Sequence, residues 1–174
     1  QLIAPNGQLK YYINCTPMFS SSQTVTQWNP FSNGWGAQPE LYLASWGTAS
    51  GADVSVTPGN YIRLLSGSRK VAVRFGGPST EYTGTVAPTW QMDDRVEFYF
   101  AIGNNLASTA SYRTNSGPWI SLNLPTIPYS LSGSLGATTP FNFLMNKERA
   151  DNNATGQPPM FVHRLSIYGS GSLI

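Results

Sequence analysis

The stretch Arg95-Val96-Glu97-Phe98-Tyr99-Phe100-Ala101-Ile102, "RVEFYFAI", decides the reading of the fold. Val96, Phe98, Phe100 and Ile102 occupy every second position, and Arg95, Glu97 and Tyr99 stand between them. A period of two sends successive side chains to opposite faces of a strand, so the apolar set is core and the other set faces outward. The same alternation recurs in Arg69 to Phe75, with Val71, Val73 and Phe75 inward, and in Trp119 to Leu124, with Ile120, Leu122 and Leu124 inward.

Weaker strands fit around these at Leu9 to Asn14, Gln23 to Gln27, Leu41 to Trp46, Tyr61 to Leu65, Ser111 to Thr114, Phe141 to Met145 and Phe161 to Tyr168. Turn formers separate them: Pro58-Gly59-Asn60, Ser66-Gly67-Ser68, Gly76-Gly77-Pro78 and Asn115-Ser116-Gly117-Pro118. Ser66-Gly67-Ser68 is expected to close a hairpin between Tyr61 to Leu65 and Arg69 to Phe75. No window shows the spacing of an amphipathic helix, and Asn146 to Asp151 is at most one polar turn. Short strands punctuated this often predict an all-β, antiparallel two-sheet sandwich with little or no helix.

A chain of 174 residues suits one such domain. Residues 1–40 are read as an N-terminal strand and loop region, and the Gly/Ser-rich residues 169–174 as a flexible tail. Only 10% of residues are charged while 13% are aromatic, which describes a packed chain whose surface is made polar by hydroxyls and amides. A net charge of +2 is too small to imply nucleic acid as a partner. No apolar run is long enough for a membrane-spanning helix, so no membrane insertion is expected. The single cysteine, Cys15, rules out an internal disulfide framework. An opening Gln1 in place of Met suggests a processed product or an excised domain, and the composition suits a virion or an extracellular setting.

In order and character these pieces resemble the concanavalin A-like, or laminin-G-like, jelly roll. The resemblance rests on Leu41-Tyr42-Leu43-Ala44-Ser45-Trp46-Gly47 ahead of the hairpin from Tyr61 to Phe75, on "RVEFYFAIG" followed by "TNSGPWISLNL", and on the closing "MFVHRLSIYG". It covers roughly residues 40 to 170. It is strongest with domains of bacteriophage virion and bacterial surface proteins. It implies a jelly-roll sandwich that binds carbohydrate or another protein, with glycan-cleaving enzymes among its relatives. A picornavirus-like capsid jelly roll is the neighbouring alternative.

Glycan cleavage calls for two carboxyl groups roughly 5 to 10 Å apart. Asp93-Asp94-Arg95-Val96-Glu97 is the only acidic cluster, and it does not supply them: Asp94 and Glu97 point to opposite faces of a strand, and Asp93 and Glu97 lie about 13 Å apart. Glu40 or Glu81 would have to complete such a pair. His163, the only histidine, alternates with Phe161, Leu165 and Ile167, which predicts a hydrogen-bonded structural residue on a core face. No Gly-x-Ser-x-Gly elbow is present. No catalytic residue and no cofactor is therefore expected. Calcium is the one ion with suitable oxygen donors, at Asp53, Asp93, Asp94 and Asp151, each of which also fits a turn-forming role.

Ligand-binding candidates are the aromatic and amide side chains in or beside loops: Trp35, Trp28, Tyr112, Asn115 and Trp119. Trp119 falls on the side of its strand opposite Ile120 and Leu122. Arg63, Arg69, Lys70 and Arg74 form a basic patch on the predicted hairpin, suited to an acidic polysaccharide or to an acidic neighbour, or simply a solvated face. The expected function is a non-enzymatic virion structural or decoration protein, or projecting domain, that contacts other virion subunits or copies of itself and has a host glycan as a further partner. The alternatives are a carbohydrate-binding adhesion module and a glycan-cleaving enzyme of the same fold.

Overall fold

A computed structural model describes residues 9–22, 41–46, 60–65, 68–74, 81–102, 109–127, 160–169 and 172–173. The described residues are all strand, turn or irregular chain, with no helix among them. The strands are β1 (Leu9–Pro17), β2 (Leu41–Trp46), β3 (Asn60–Leu64), β4 (Val71–Arg74), β5 (Tyr82–Thr83), β6 (Val96–Ile102), β7 (Thr109–Thr114), β8 (Ile120–Ser121), β9 (Met160–Gly169) and β10 (Ser172–Leu173).

They form two antiparallel sheets. The large sheet has six strands in the order β10-β9-β1-β6-β7-β8, and the small sheet has four in the order β2-β3-β4-β5. The chain makes β1 in the large sheet, crosses to the small sheet for a run of sequential neighbours, and returns for β6 to β10. β1 therefore lies between β6 and β9, antiparallel to both.

The two sheets bury their apolar faces against each other, as the alternation in "RVEFYFAI" requires. Val96, Phe98, Phe100 and Ile102 of β6 join Tyr11, Ile13 and Cys15 of β1, Ile62 and Leu64 of β3, and Val71 and Val73 of β4 in one core. Burial of such side chains is worth about 1.5 to 3 kcal/mol each, which is what holds a chain with no disulfide together. Trp90 closes this core with edge-on contacts to Phe19 and Phe98 at 5.9 and 6.3 Å between centroids. Its indole N–H donates to the Phe19 carbonyl at 2.8 Å, consistent with a structural tryptophan.

Polar bonds also cross between the sheets. The Tyr11 hydroxyl donates to the backbone carbonyl of Leu43. Gly84 N–H donates to the Val71 carbonyl at 2.9 Å and Val86 N–H to the Leu122 carbonyl at 3.3 Å, so residues 84–86 stitch one sheet to the other. At Gly84 this approach is so close that a Cβ atom would lie 2.5 Å from the Leu122 carbonyl oxygen.

Several expectations need correction. His163, Phe161 and Leu165 do not share a buried face. The register of β1 against β9 shifts between Asn14 and Cys15, which breaks the alternation near His163. Phe161 pairs with Thr16 and is exposed, as is His163, whose Nε2 lies 2.8 Å from Thr16 Oγ1. Ile120, expected inward, is half-exposed at the sheet edge, although Leu122 and Leu124 are buried as the pattern predicts. Ser172 and Leu173, within the expected tail, pair back onto β9. The strands read at Gln23 to Gln27 and Phe141 to Met145, and the polar turn at Asn146 to Asp151, lie outside the described residues.

Candidate functional site

Because the inner faces of β1, β6 and β7 are core, their alternate residues line an outer face of the large sheet. Pairing across the strands fixes which of them meet. Arg164 of β9 is opposite Asn14 of β1, Asn14 is opposite Glu97 of β6, and Glu97 is opposite Arg113 of β7. One step along, Ser166, Tyr12, Tyr99, Ser111 and Ser121 form the next row.

Asn14, Glu97 and Arg113 of the first row belong to a connected polar network. Arg113 holds Glu97 with two bonds, Nε to Oε2 at 2.6 Å and Nη2 to Oε1 at 2.9 Å. The Tyr12 hydroxyl donates to Glu97 Oε1 at 2.5 Å, and Asn14 Nδ2 donates to the Tyr12 oxygen at 3.4 Å. Arg95 Nε then donates to Asn14 Oδ1 at 3.0 Å. Glu97 is only 4% exposed although it points away from the core, because these side chains lie over it. The Arg113 hydrogen bond holds its carboxyl below the usual range, with the Tyr12 bond adding to this and burial opposing it. Burial, followed by the bond to Glu97, raises the Tyr12 phenol.

Trp119 sits on this network. The Arg113 guanidinium lies over its ring at 4.6 Å, and Tyr99 meets it edge-on at 6.5 Å. Trp119 is 44% exposed, so its ring is fixed from beneath and still offers surface to a partner. Arg164 lies over the Tyr12 ring at 5.8 Å. At the β9 margin of the large sheet Phe161, Val162 and Leu165 are exposed by 60%, 41% and 38%.

The other expected site residues fall elsewhere. Tyr112 is buried in the core, with its ring stacked on Phe98 at 6.3 Å, and so has no open face for a ligand. Asn115 is committed to the turn that follows β7: its Oδ1 accepts from Arg95 N at 2.9 Å and its Nδ2 donates to Asp94 Oδ1 at 2.7 Å. Asp94 Oδ2 accepts from Gln91 N at 2.7 Å, which places Asp94 among turn-forming residues. No group of three or more His, Cys, Asp or Glu side chains is placed to hold a metal among the described residues. Trp28, Trp35, Glu40, Asp53 and Asp151 lie outside the described residues.

The hairpin residues have different surroundings. Arg63 pairs with Glu81, Nη2 to Oε2 at 2.6 Å and Nε to Oε2 at 3.1 Å, and lies over the Tyr61 ring at 4.5 Å. The Tyr61 hydroxyl donates to the same Glu81 oxygen at 2.6 Å, and burial together with this bond pushes its phenol up to about 12. Arg69 has a left-handed backbone, φ 57°, and its Nη2 donates to the Ser22 carbonyl at 3.1 Å. Lys70 and Arg74 are partly exposed beside them.

The sequence reading singled out Trp119 but not the network under it. Glu97 and Arg113 were legible as outward-facing residues of alternating strands. Their pairing depends on the β6 to β7 register, which alternation alone does not set. No model of a known protein family matches the chain, and no curated protein matches it.

Proposed function

We propose that this chain is a non-enzymatic jelly-roll sandwich of the concanavalin A-like kind, serving as a virion structural or decoration subunit that contacts copies of itself. The observation that carries this reading is the apolar margin of the large sheet. Val162 and Leu165, opposite Cys15 and Ile13 on the inner side of β9, and Phe161, opposite Thr16 on its outer side, all stand exposed at this margin, where a chain of this composition has many polar residues to place instead. Exposed apolar side chains clustered on a strand near a sheet edge are the usual mark of a surface that a neighbour covers. The placing of β1 beside β9, with β2 to β5 consecutive in the other sheet, is compatible with a jelly roll. Glu97 favours a non-enzymatic role, because its partners are cations and a phenol and its pKa is lowered, whereas a general acid needs a raised pKa.

Light scattering on the purified chain over a range of concentrations tests the reading. A defined oligomer that Phe161→Ser with Val162→Thr converts to a folded monomer is the expected result. A monomer at every concentration overturns it.

A second reading, recognition of a saccharide, is favoured by Trp119. A half-exposed indole held from below by an arginine is suited to stacking on a sugar ring.

A further inference from the structure

We propose that the outer face of the large sheet, from Arg164 on β9 to Trp119 beside β8, binds an acidic oligosaccharide, a sugar chain bearing carboxylates or sulfates. This rests on the second reading above and names its ligand class.

The charge on this face is one-sided. The strands of the large sheet carry Lys10, Arg113 and Arg164, with Arg95 immediately before β6, and their only carboxylate is Glu97. These strands with Arg95 hold four of the 10 basic residues against one of the 8 acidic ones, the same balance that Arg63, Arg69, Lys70 and Arg74 strike with Glu81 on and beside the small sheet. Asp93 and Asp94 stand in the turn at one end of the face, and Asp94 spends its carboxylate on Gln91 N and Asn115 Nδ2.

Glu97 is ion-paired with Arg113 and is also acted on by the charge of Arg95. Its two oxygens hold Arg113, which thereby becomes a rigid support for the indole. Arg95 donates through Nε to Asn14 Oδ1 and Arg164 through Nε to Ser166 Oγ, both neutral acceptors, and among the described residues no carboxylate is ion-paired with Arg164. Arg164 and Arg113 are in one row, three strand spacings or about 14 Å apart. That span suits a chain of sugars better than a single ring.

The next row supplies the remaining contacts. Ser111 and Ser121 bring hydroxyls to the face and Tyr99 and Trp119 bring rings, while Ser166 is buried and the Tyr12 hydroxyl is bonded to Glu97. Hydroxyls that bond hydroxyls, an indole for the apolar face of a pyranose, and cations for its acid groups are the parts that acidic sugar recognition needs. An acidic protein fits less well, because the middle of the face has no apolar anchor of the sort that fills an interface core. Nucleic acid fits less well, because its affinity comes from many more phosphate contacts than these cations can make.

The test is titration calorimetry of the full chain with a heparin oligosaccharide, an oligogalacturonate, a neutral malto-oligosaccharide of similar length and polyglutamate. Binding to at least one acidic saccharide and not to the neutral one is expected, weakening as salt rises to about 0.5 M. Arg164→Gln and Trp119→Ala should each lower affinity about tenfold, with circular dichroism and melting temperature confirming the fold, and Trp119→Tyr should retain most of it. Lys70→Gln on the hairpin should change nothing. The proposal is overturned by no binding to either acidic saccharide, by equal binding of the neutral one, or by tighter binding of polyglutamate. It is also overturned if Lys70→Gln abolishes binding while Arg164→Gln and Trp119→Ala do not. Light scattering on the same samples reads self-association separately, so each proposal can fail alone.

Discussion

Arg113 and Glu97 are paired through two nearly parallel hydrogen bonds, 2.6 and 2.9 Å long, on the face of the large sheet that turns away from the core. The pair joins neighbouring strands, since Glu97 and Arg113 are register partners of β6 and β7. Its carboxylate is largely shielded, so the two partners are not equivalent to remove. Replacing Arg113 by Met leaves Glu97 covered and short of its main donor, whereas replacing both by Met and Gln leaves no charge behind. Arg113→Met should lower the melting temperature by several degrees, and adding Glu97→Gln should recover part of that loss. A double variant less stable than Arg113→Met would refute this account of the pair.

The same contact makes stability depend on acid. Arg113 holds the Glu97 carboxyl below its usual value of 4.5, so the folded state binds this proton less readily than the unfolded chain does. The contribution is complete above the ordinary carboxylate range and is lost as pH falls through the lowered folded value. Denaturant unfolding at a series of pH values below neutrality should show a decline beginning near pH 5, and Glu97→Gln should make that decline shallower. An identical acid limb in Glu97→Gln would place the effect at another carboxyl.

Cys15 should behave as an inert thiol. It lies in the core on β1, and burial pushes its ionisation from 9.0 up to about 12. A thiol reagent at about pH 8 should leave the native chain unlabelled and react fully in denaturant. Because the folded value is raised, its stabilising effect is present below pH 9 and is lost as pH climbs from 9 towards 12. Rapid native labelling would contradict the burial.

Gly84→Ala should destabilise the sandwich. The new Cβ would stand 2.5 Å from the Leu122 carbonyl oxygen, a backbone atom that cannot swing aside. The cost should be about 1 to 3 kcal/mol, or a fall of roughly 2 to 9 °C in melting temperature for a chain of this size. The same change at Thr85, which is exposed, should be nearly silent. Equal melting temperatures for Gly84→Ala and the unaltered chain would show that the two segments are not held together as described.

Alternation made the sandwich legible because in β6 and β4 the inner positions are apolar without exception, and in Leu41 to Trp46 even the strand limits agree with the reading. It was misleading at His163, where a register shift changes which side chains share a face. It could not reveal Tyr82–Thr83, since two residues carry no period. The candidate site was legible in pieces. Trp119 stood out as a large aromatic opposite an apolar set, but the Arg63 to Glu81 pairing that takes up part of the expected basic patch joins residues 18 apart. The Thr16 to His163 contact joins residues 147 apart. Only the order of the strands in space brings such residues together.

That order also bears on how the chain reaches its fold. β1 leaves the ribosome well before its two neighbours in the sheet, β6 and β9. Until then Tyr11, Ile13 and Cys15 have neither a ladder partner nor a covered face from the large sheet. The small sheet, whose neighbours follow one another in sequence, has no such wait. Synthesis and folding are therefore out of step on opposite sides of the sandwich, with local hairpins forming first and the long-range pairing of β1 with β9 setting the pace.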